Sequence, residues 1–474
     1  MARLIGLDLG TSGLKGIVVD ETGRTLKSAS REYPLLTPKP GWTEQDPAHW
    51  VRAAREVLAE LDEPRADAIG LAGQMHGSVF LDERGEVVRP ALLWNDGRTA
   101  AECAEIDRRV GPDRVRAITG NPPLVGFQAP KILWLRNHEP ENFARVRKIL
   151  LPKDYLLYAL TGEFGAEVSD ASGTGLLDLR TRDWSDEMLG ALDLSRDLFP
   201  PVVESSAWTF RTPDGVPVAG GGGDQAAGAV GTGAVSPGIV SVSLGTSGVV
   251  FAALDRPEFD GAGRAHTFCH ANGGWHAMGV QLSCGGALRW FRDRFRPGAS
   301  YDEIVALAQR APAGCEGLSF LPHLAGERTP HNDPALRASW AGLCLAHDET
   351  HLARSVIEGI SFGLADGWDV LRGLGATATE IRVSGGGGRS PFWRGMLADL
   401  FGAPVRTLEG DEGPALGGAI LAGVGVGVWP DVATACAATV RVGGETVPTG
   451  SDYSAARSRN ASLRSALTPW DHAA

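Results

Sequence analysis

Two stretches of the chain place the same polar turn between apolar runs. Residues 4–19 read LIGLDLGTSGLKGIVV, and residues 239–254 read IVSVSLGTSGVVFAAL. Each predicts an apolar strand, a tight LGTSG turn and a second apolar strand. Gly10 and Gly245 stand 235 positions apart in a chain of 474 residues. A repeat at half-length is no solenoid and predicts two domains built on one plan. The first copy runs on into a meander, GIVVDETGRTLKSASREYPL, with a turn at 20–23. A helix follows. Asp46 supplies its N-cap, Pro47 takes its first position, and Trp50, Ala54, Val57, Leu58 and Leu61 recur at helical spacing. Strands are predicted at 68–75 and 86–94. The second half predicts strands, helices near 284–296 and 349–373, a strand IRVSGGGG, a helix from Pro391 and a last helix near 414–424. Meanders that give way to α/β segments predict an α/β chain with mixed sheets. The turn cluster Ser236-Pro237-Gly238 divides it into residues 1–238 and 239–474, with ligand expected in the cleft between them.

Composition adds one oddity. Glycine makes up 63 of the 474 residues, well above the ordinary share of about 7%. It clusters as GGGG at 220–223 and at 385–388. Such a cost in backbone entropy implies a need for close backbone approach, and the expectation is approach to a ligand. The net charge of −12 argues against nucleic acid and anionic membrane surfaces as partners. The six cysteines form no CxxC and read as reduced thiols. The N-terminal run MARLIGLDLG carries an aspartate and is no signal peptide, and PALGGAILAGVGVGVW at 414–429 is too short and glycine-rich to span a membrane. A cytoplasmic protein is expected.

The candidate chemistry gathers at the turns. Successive N–H groups in an LGTSG turn, with the Thr and Ser hydroxyls, make a nest for phosphate; the alternative is a plain hairpin turn. No GxGxxG and no Gly-Lys dipeptide occurs, so neither a Rossmann fingerprint nor a Walker A loop is present. Asp224 follows a strand and GGGG, and the run from Gln225 to Leu254 contains no charge. It is either a catalytic carboxylate or the N-cap of the next helix. Asp8 shares a strand face with Gly6 and Gly10 and suits Mg²⁺ beside a phosphate nest, or else is a polar residue on a wet face. SGGGGRSPFW is a second glycine loop from strand to helix. QMHG at 74–77 and WNDGR at 94–98 suit a polyol, although Met75 and Trp94 taken singly read as core. His266, His270, Cys269 and Cys284 read as structural rather than as metal ligands.

These motifs in this order resemble the FGGY family of carbohydrate kinases, most closely its bacterial xylulokinase branch. The resemblance runs from LIGLDLGTSGLKG through GWTEQDPAHW, GLAGQMHG, ALLWNDGR, APKILWL, LLPKDYL, AGGGGDQAAGAVG, LPHLAGERTPH and SVIEGISFGLADG to VSGGGGRSPFW and GPALGGAI, about residues 3–425. It implies two ribonuclease-H-like domains of the actin and sugar-kinase superfamily around a central cleft. It implies ATP-dependent phosphorylation of D-xylulose, with MgATP and the sugar as ligands. Asp224 matches the catalytic base and Asp8 the N-terminal aspartate, and both are expected near the metal. Met75 and His76 match the substrate pair, with Gln74, Trp94, Asn95, Asp96 and Gln225 beside them. Gly10, Thr11, Ser12, Lys15, Gly245, Thr246, Gly386, Gly387, Gly388 and Ser390 match nucleotide contacts. Gln225 stands where many xylulokinases carry Asn, and Gln128 where the N-terminal signature carries Pro, Ser or Thr. The first departure keeps another pentulose or pentitol open as substrate, and the second touches local packing. A catalytically silent sugar sensor on the same fold is the reading from another class. Whether the chain forms a homodimer stays open.

Overall fold

The computed structural model describes residues 2–410 and 412–473. Both LGTSG segments form the hairpins that their apolar alternation predicts. β1 (Leu4–Leu9) pairs antiparallel with β2 (Gly13–Val19), and β3 (Thr25–Glu32) extends the meander. Helix α1 (Pro47–Leu61) starts where Asp46 accepts the Ala48 N–H at 2.9 Å and Pro47 takes the first turn. It buries Trp50, Ala53, Ala54, Val57 and Leu61, whereas Leu58 is only half-buried. β4 (Ala68–Gly73) lies parallel to β1. Helix α2 (Gln128–His138) belongs to the long insertion that follows. β5 (Phe210–Arg211) and β6 (Pro217–Gly223) complete the first sheet, in the order β5-β6-β4-β1-β2-β3. Helix α3 (Asp224–Thr232) leaves β6 directly.

The second half repeats the plan. β7 (Gly238–Leu244) and β8 (Gly248–Leu254) form the hairpin, followed by β9 (His266–Cys269) and β10 (Trp275–Gln281). Helices α4 (Gly285–Phe295) and α5 (Glu349–Gly373) precede β11 (Ala378–Ser384), α6 (Pro391–Phe401) and β12 (Val405–Leu408). Helix α7 (Gly413–Gly425) and β13 (Val442–Thr446) follow, and the sheet order is β9-β10-β8-β7-β11-β12-β13. The run β3-β2-β1-β4-β6 in one sheet matches β10-β8-β7-β11-β12 in the other, with the same parallel and antiparallel pairings. This is the ribonuclease-H-like connectivity that the resemblance implied, present twice.

Strand alternation sends Leu7, Leu9 and Leu14 to one face of the first sheet, against α1. Leu4, Ile17 and Val19 go to the other face, against α3 and α7. Helix α7 thus crosses back from the second half of the chain onto the first sheet. It comes so close that a Cβ at Gly6 of β1 would fall on the Ala415 carbonyl, and one at Gly70 of β4 on the Gly418 carbonyl. Gly231 of α3 meets the Gly413 carbonyl, and Gly417 of α7 meets that of Ala227, in the same way. The GGGG run at 220–223 is also packed inside the protein. Gly221, with φ 78°, takes up a bulge in β6 against the Leu71 carbonyl. Part of the glycine content therefore serves close helix-on-sheet and helix-on-helix contact, a use that the expectation of approach to a ligand did not include. Gly70→Ala should lower stability by about 1–3 kcal/mol or more through overpacking. Gly190→Ala, in a helix with open space around it, should be neutral or stabilising. Thermal midpoints of the two variants check this, and equal midpoints would refute the close-contact reading.

Candidate active site

The two hairpin turns are held from behind. In the first, the Gly10 carbonyl accepts the Tyr33 hydroxyl, the Thr11 carbonyl accepts Gln45 Nε2 at 2.7 Å, and the Ser12 carbonyl accepts the Tyr33 N–H at 3.3 Å. In the second, the Gly245 carbonyl accepts the Gly285 N–H at 2.8 Å, and the Thr246 carbonyl accepts Cys284 and Gly286, each at 3.0 Å. The N–H of a trans peptide points opposite to its C=O. Tying the carbonyls therefore aims the N–H groups of Thr11, Ser12, Thr246 and Ser247 the other way, which is what an anion nest requires. The Thr11 hydroxyl also donates to Gln74 Oε1 at 3.1 Å and accepts the Trp94 indole at 2.9 Å. Gln45 closes this network by accepting Gln74 Nε2 at 3.2 Å and the Trp50 indole at 3.0 Å. The sequence reading did not single out Gln45 or Tyr33, whose roles arise from distant contacts.

Asp8 sits on β1 opposite Lys15 on β2. Burial pushes its carboxyl up to about 6 against the pull of Lys15, and its Oδ1 is buried without a hydrogen-bond partner. Lys15 also reaches Glu412, which precedes α7, at 2.7 Å. Asp224 is the first residue of α3. The N-cap position belongs to Gly223, which makes no side-chain cap, so the capping reading of Asp224 is set aside. Burial, then the nearby Asp8 charge, push the Asp224 carboxyl up to about 7, opposed by hydrogen bonds from Gln225. Asp224 and Gln225 line a cleft of about 590 Å³ between the halves, facing Ser243 and Ser384.

Met75 is buried, its side chain against Gly223, where a Cβ would lie 2.8 Å from Met75 Cγ. His76 has φ 68°, its Nδ1 lies 2.6 Å from the Gly173 carbonyl, and its ring stacks on Phe127 at 4.5 Å. Burial lowers its pKa to about 3, so the ring is neutral. A nitrogen that bonds a carbonyl must carry the proton, which leaves Nε2 as an acceptor. Trp94 is exposed, and Asn95 accepts the Thr43 hydroxyl at 2.7 Å. Asp96 is buried, and its carboxylate is occupied by the Thr43 N–H at 2.7 Å and by Arg98 at 2.7–3.1 Å. It shapes the 94–98 loop. Gln128 donates to the Gly77 and Leu150 carbonyls at 3.0 and 3.1 Å, which ties down the segment after His76.

A second cavity of about 440 Å³ lies on the second half alone, bounded by Gly245, Thr246, Gly386, Gly387 and Ser390. Gly386 faces open space, Gly388 is buried beneath the loop, and the Ser390 hydroxyl caps α6 by accepting the Trp393 N–H at 3.2 Å. Gly285, Arg289, Tyr301 and Asp302 line the same cavity and were not picked out from sequence. The Gly285-Gly286 pair that opens α4 against the second turn was the available signal. His266, His270 and His276 are buried, with His276 stacked on Phe251 at 4.3 Å. Among the described residues no group of three or more His, Cys, Asp or Glu is arranged to hold a metal ion. Two carboxylates with one orphaned oxygen still fit Mg²⁺, which takes one or two carboxylates and completes its shell with phosphate and water.

Comparison with known proteins assigns both halves. Residues 3–231 match the N-terminal domain, and residues 240–426 the C-terminal domain, of the FGGY family of carbohydrate kinases. The chain belongs to the FGGY family of carbohydrate kinases. The xylulose kinase of Escherichia coli (strain K12) is 45% identical over 441 residues, covering 88% of this chain and 89% of that protein. A solved structure described as a xyloylose kinase from Brucella ovis is 38% identical and superposes with a TM-score of 0.91 over 99% of both chains. The gluconate kinase of Lactobacillus acidophilus is 26% identical, with a TM-score of 0.93 over 98% of both chains. No helix among the described residues is long and apolar enough to cross a membrane.

In this FGGY kinase the half-buried carboxylates carry a stability cost. The folded pKa of Asp224 lies above its unfolded value, so the native state binds the extra proton between about pH 4 and 7. Stability from this group is lost as pH rises through that window. Asp224→Asn should therefore raise the unfolding free energy of metal-free protein at pH 8 by on the order of 2–4 kcal/mol, and its thermal midpoint with it. The gain should shrink to nothing near pH 4. A gain independent of pH would show that the charge is not what costs stability.

Proposed function

We propose that this carbohydrate kinase phosphorylates D-xylulose with ATP to give D-xylulose 5-phosphate. The observation that carries the reading is Asp224, a half-buried carboxylate raised to about 7 at the start of α3, with Met75 behind it and the interdomain cleft before it. The match to xylulose kinases at up to 45% identity supports the sugar; the fold does not, since a gluconate kinase shares it.

The chain's own groups divide the work. The sugar lies against Met75, His76 and Trp94, and the neutral His76 accepts a sugar hydroxyl at Nε2. Asp224 accepts the proton of the terminal hydroxyl as that oxygen attacks the γ-phosphate in line. The N–H groups of the two turns hold phosphate oxygens, and Lys15 adds positive charge beside Asp8. The adenosine end of ATP lies in the cavity walled by the glycine loop at 385–388. Mg²⁺, when bound, neutralises phosphate charge, and Asp8 is the residue placed to hold it, directly or through water. Gln225 beside the base keeps a second pentulose or pentitol open as substrate. The presence of both Asp8 and Asp224 weighs against a silent sensor.

ADP release across D-xylulose, other pentuloses, pentitols and glycerol tests the reading. D-Xylulose should give the highest kcat/KM. No turnover with any of them would favour the sensor. Asp224→Ala should lose about 10²- to 10⁴-fold in kcat while ATP affinity stays near wild type. Near-normal turnover would remove Asp224 from the chemistry.

A further inference from the structure

The sugar side of the cleft contains a buried cation that phosphoryl transfer does not use. Lys131 on α2 is wholly buried. The other wholly buried lysine, Lys153, pairs with Asp154 at 2.6 Å. Lys131 is held instead by backbone carbonyls: Gly126, Phe127 at 3.0 Å, His76 at 3.3 Å and Val125 at 3.5 Å. Burial lowers its pKa to about 7, offset in part by Asp96. It also stands in the first turn of α2, where the helix dipole disfavours a cation. Neither local electrostatics nor an ion pair accounts for a lysine here.

The four carbonyls belong to two segments that both border the sugar. His76 holds a left-handed backbone that a non-glycine residue rarely adopts. Phe127 stacks on the His76 ring, and Gly126 lies so close to Trp94 that a Cβ would sit 2.6 Å from the Trp94 carbonyl. One ammonium, with three donors in fixed directions, thus ties the peptide of His76 to the 125–127 loop that abuts Trp94.

We propose that Lys131 is a positioning residue for the sugar subsite, locking the backbone of His76 to the 125–127 loop so that the imidazole and the Trp94 ring meet the polyol in register. This deepens the function proposed above and rests on it. Kinetics of Lys131→Met in the full chain test it, with D-xylulose and ATP varied separately. The sugar KM should rise roughly 10- to 100-fold, while the ATP KM stays within about twofold. Lys131→Arg keeps the charge and donors and should show a smaller rise of the same kind. Unchanged sugar KM, or an equal rise in both, would overturn the proposal. Failure of both variants to fold would also overturn it, by assigning Lys131 to the fold. Wild-type protein is the control: if it turns over a different sugar, the xylulose reading fails, and the same split measured on that sugar still tests Lys131.

Discussion

Backbone meeting backbone across missing side chains is the contact on which this molecule rests. Helix α7 lies on β1 through Gly6, on β4 through Gly70, and on α3 through Gly231 and Gly417. β1 carries Asp8 and α3 begins at Asp224. One helix from the second half of the chain therefore sets the separation of the two carboxylates of the first. A methyl group at any of these positions would push apart elements whose ends hold the chemistry. Close packing of this kind responds to added volume by shifting backbone, since the interior has no slack.

The site concentrates like charge where the fold leaves it poorly solvated. Burial and the Asp8 charge raise the affinity of Asp224 for a proton, and burial raises that of Asp8, where Lys15, shared with Glu412, offsets only part of the effect. Such a site suits a ligand that brings its own cation, as the proposed MgATP would. The side proposed for the sugar is built the other way. His76 is kept neutral, Asp96 is paired with Arg98, and Lys131 is held by carbonyls, so that a polyol there would meet hydrogen-bonding groups rather than net charge.

What the sequence disclosed follows from the range of each interaction. The hairpins, α1 and the half-length repeat were legible because apolar alternation, Asp46 and Pro47 act within a few residues. The placement of α7 on the first sheet was not, because its evenly small residues are equally good partners for either half. Asp224 could be read as a base or a cap from its neighbours alone; only the fold gives the cap to Gly223. Met75, His76, Gln74 and Trp94 were found together as expected, yet Asp96 lies with its carboxylate turned into its own loop. Gln45 and Tyr33 carried no local signal, since each acts on carbonyls that only the folded chain brings near, and Lys131 gave none because its one distant partner is the His76 carbonyl. Glycine was the misleading quantity. Its abundance was visible, but composition does not say whether backbone is cleared for a ligand or for another backbone.

The two LGTSG turns are supported by different materials. Side chains, the Tyr33 hydroxyl and the Gln45 amide, carry much of the first; main-chain amides of residues 284–286 carry the second. Removing a side chain weakens the first kind of support, whereas adding one disturbs the second: a Cβ at Gly285 would fall 2.5 Å from the Gly245 carbonyl. The first turn is therefore sensitive to truncation at Gln45, which also reaches Gln74 and Trp50, and the second to any side chain at position 285 or 286. Two turns of equal sequence thus fail in opposite ways, one by losing atoms and the other by gaining them.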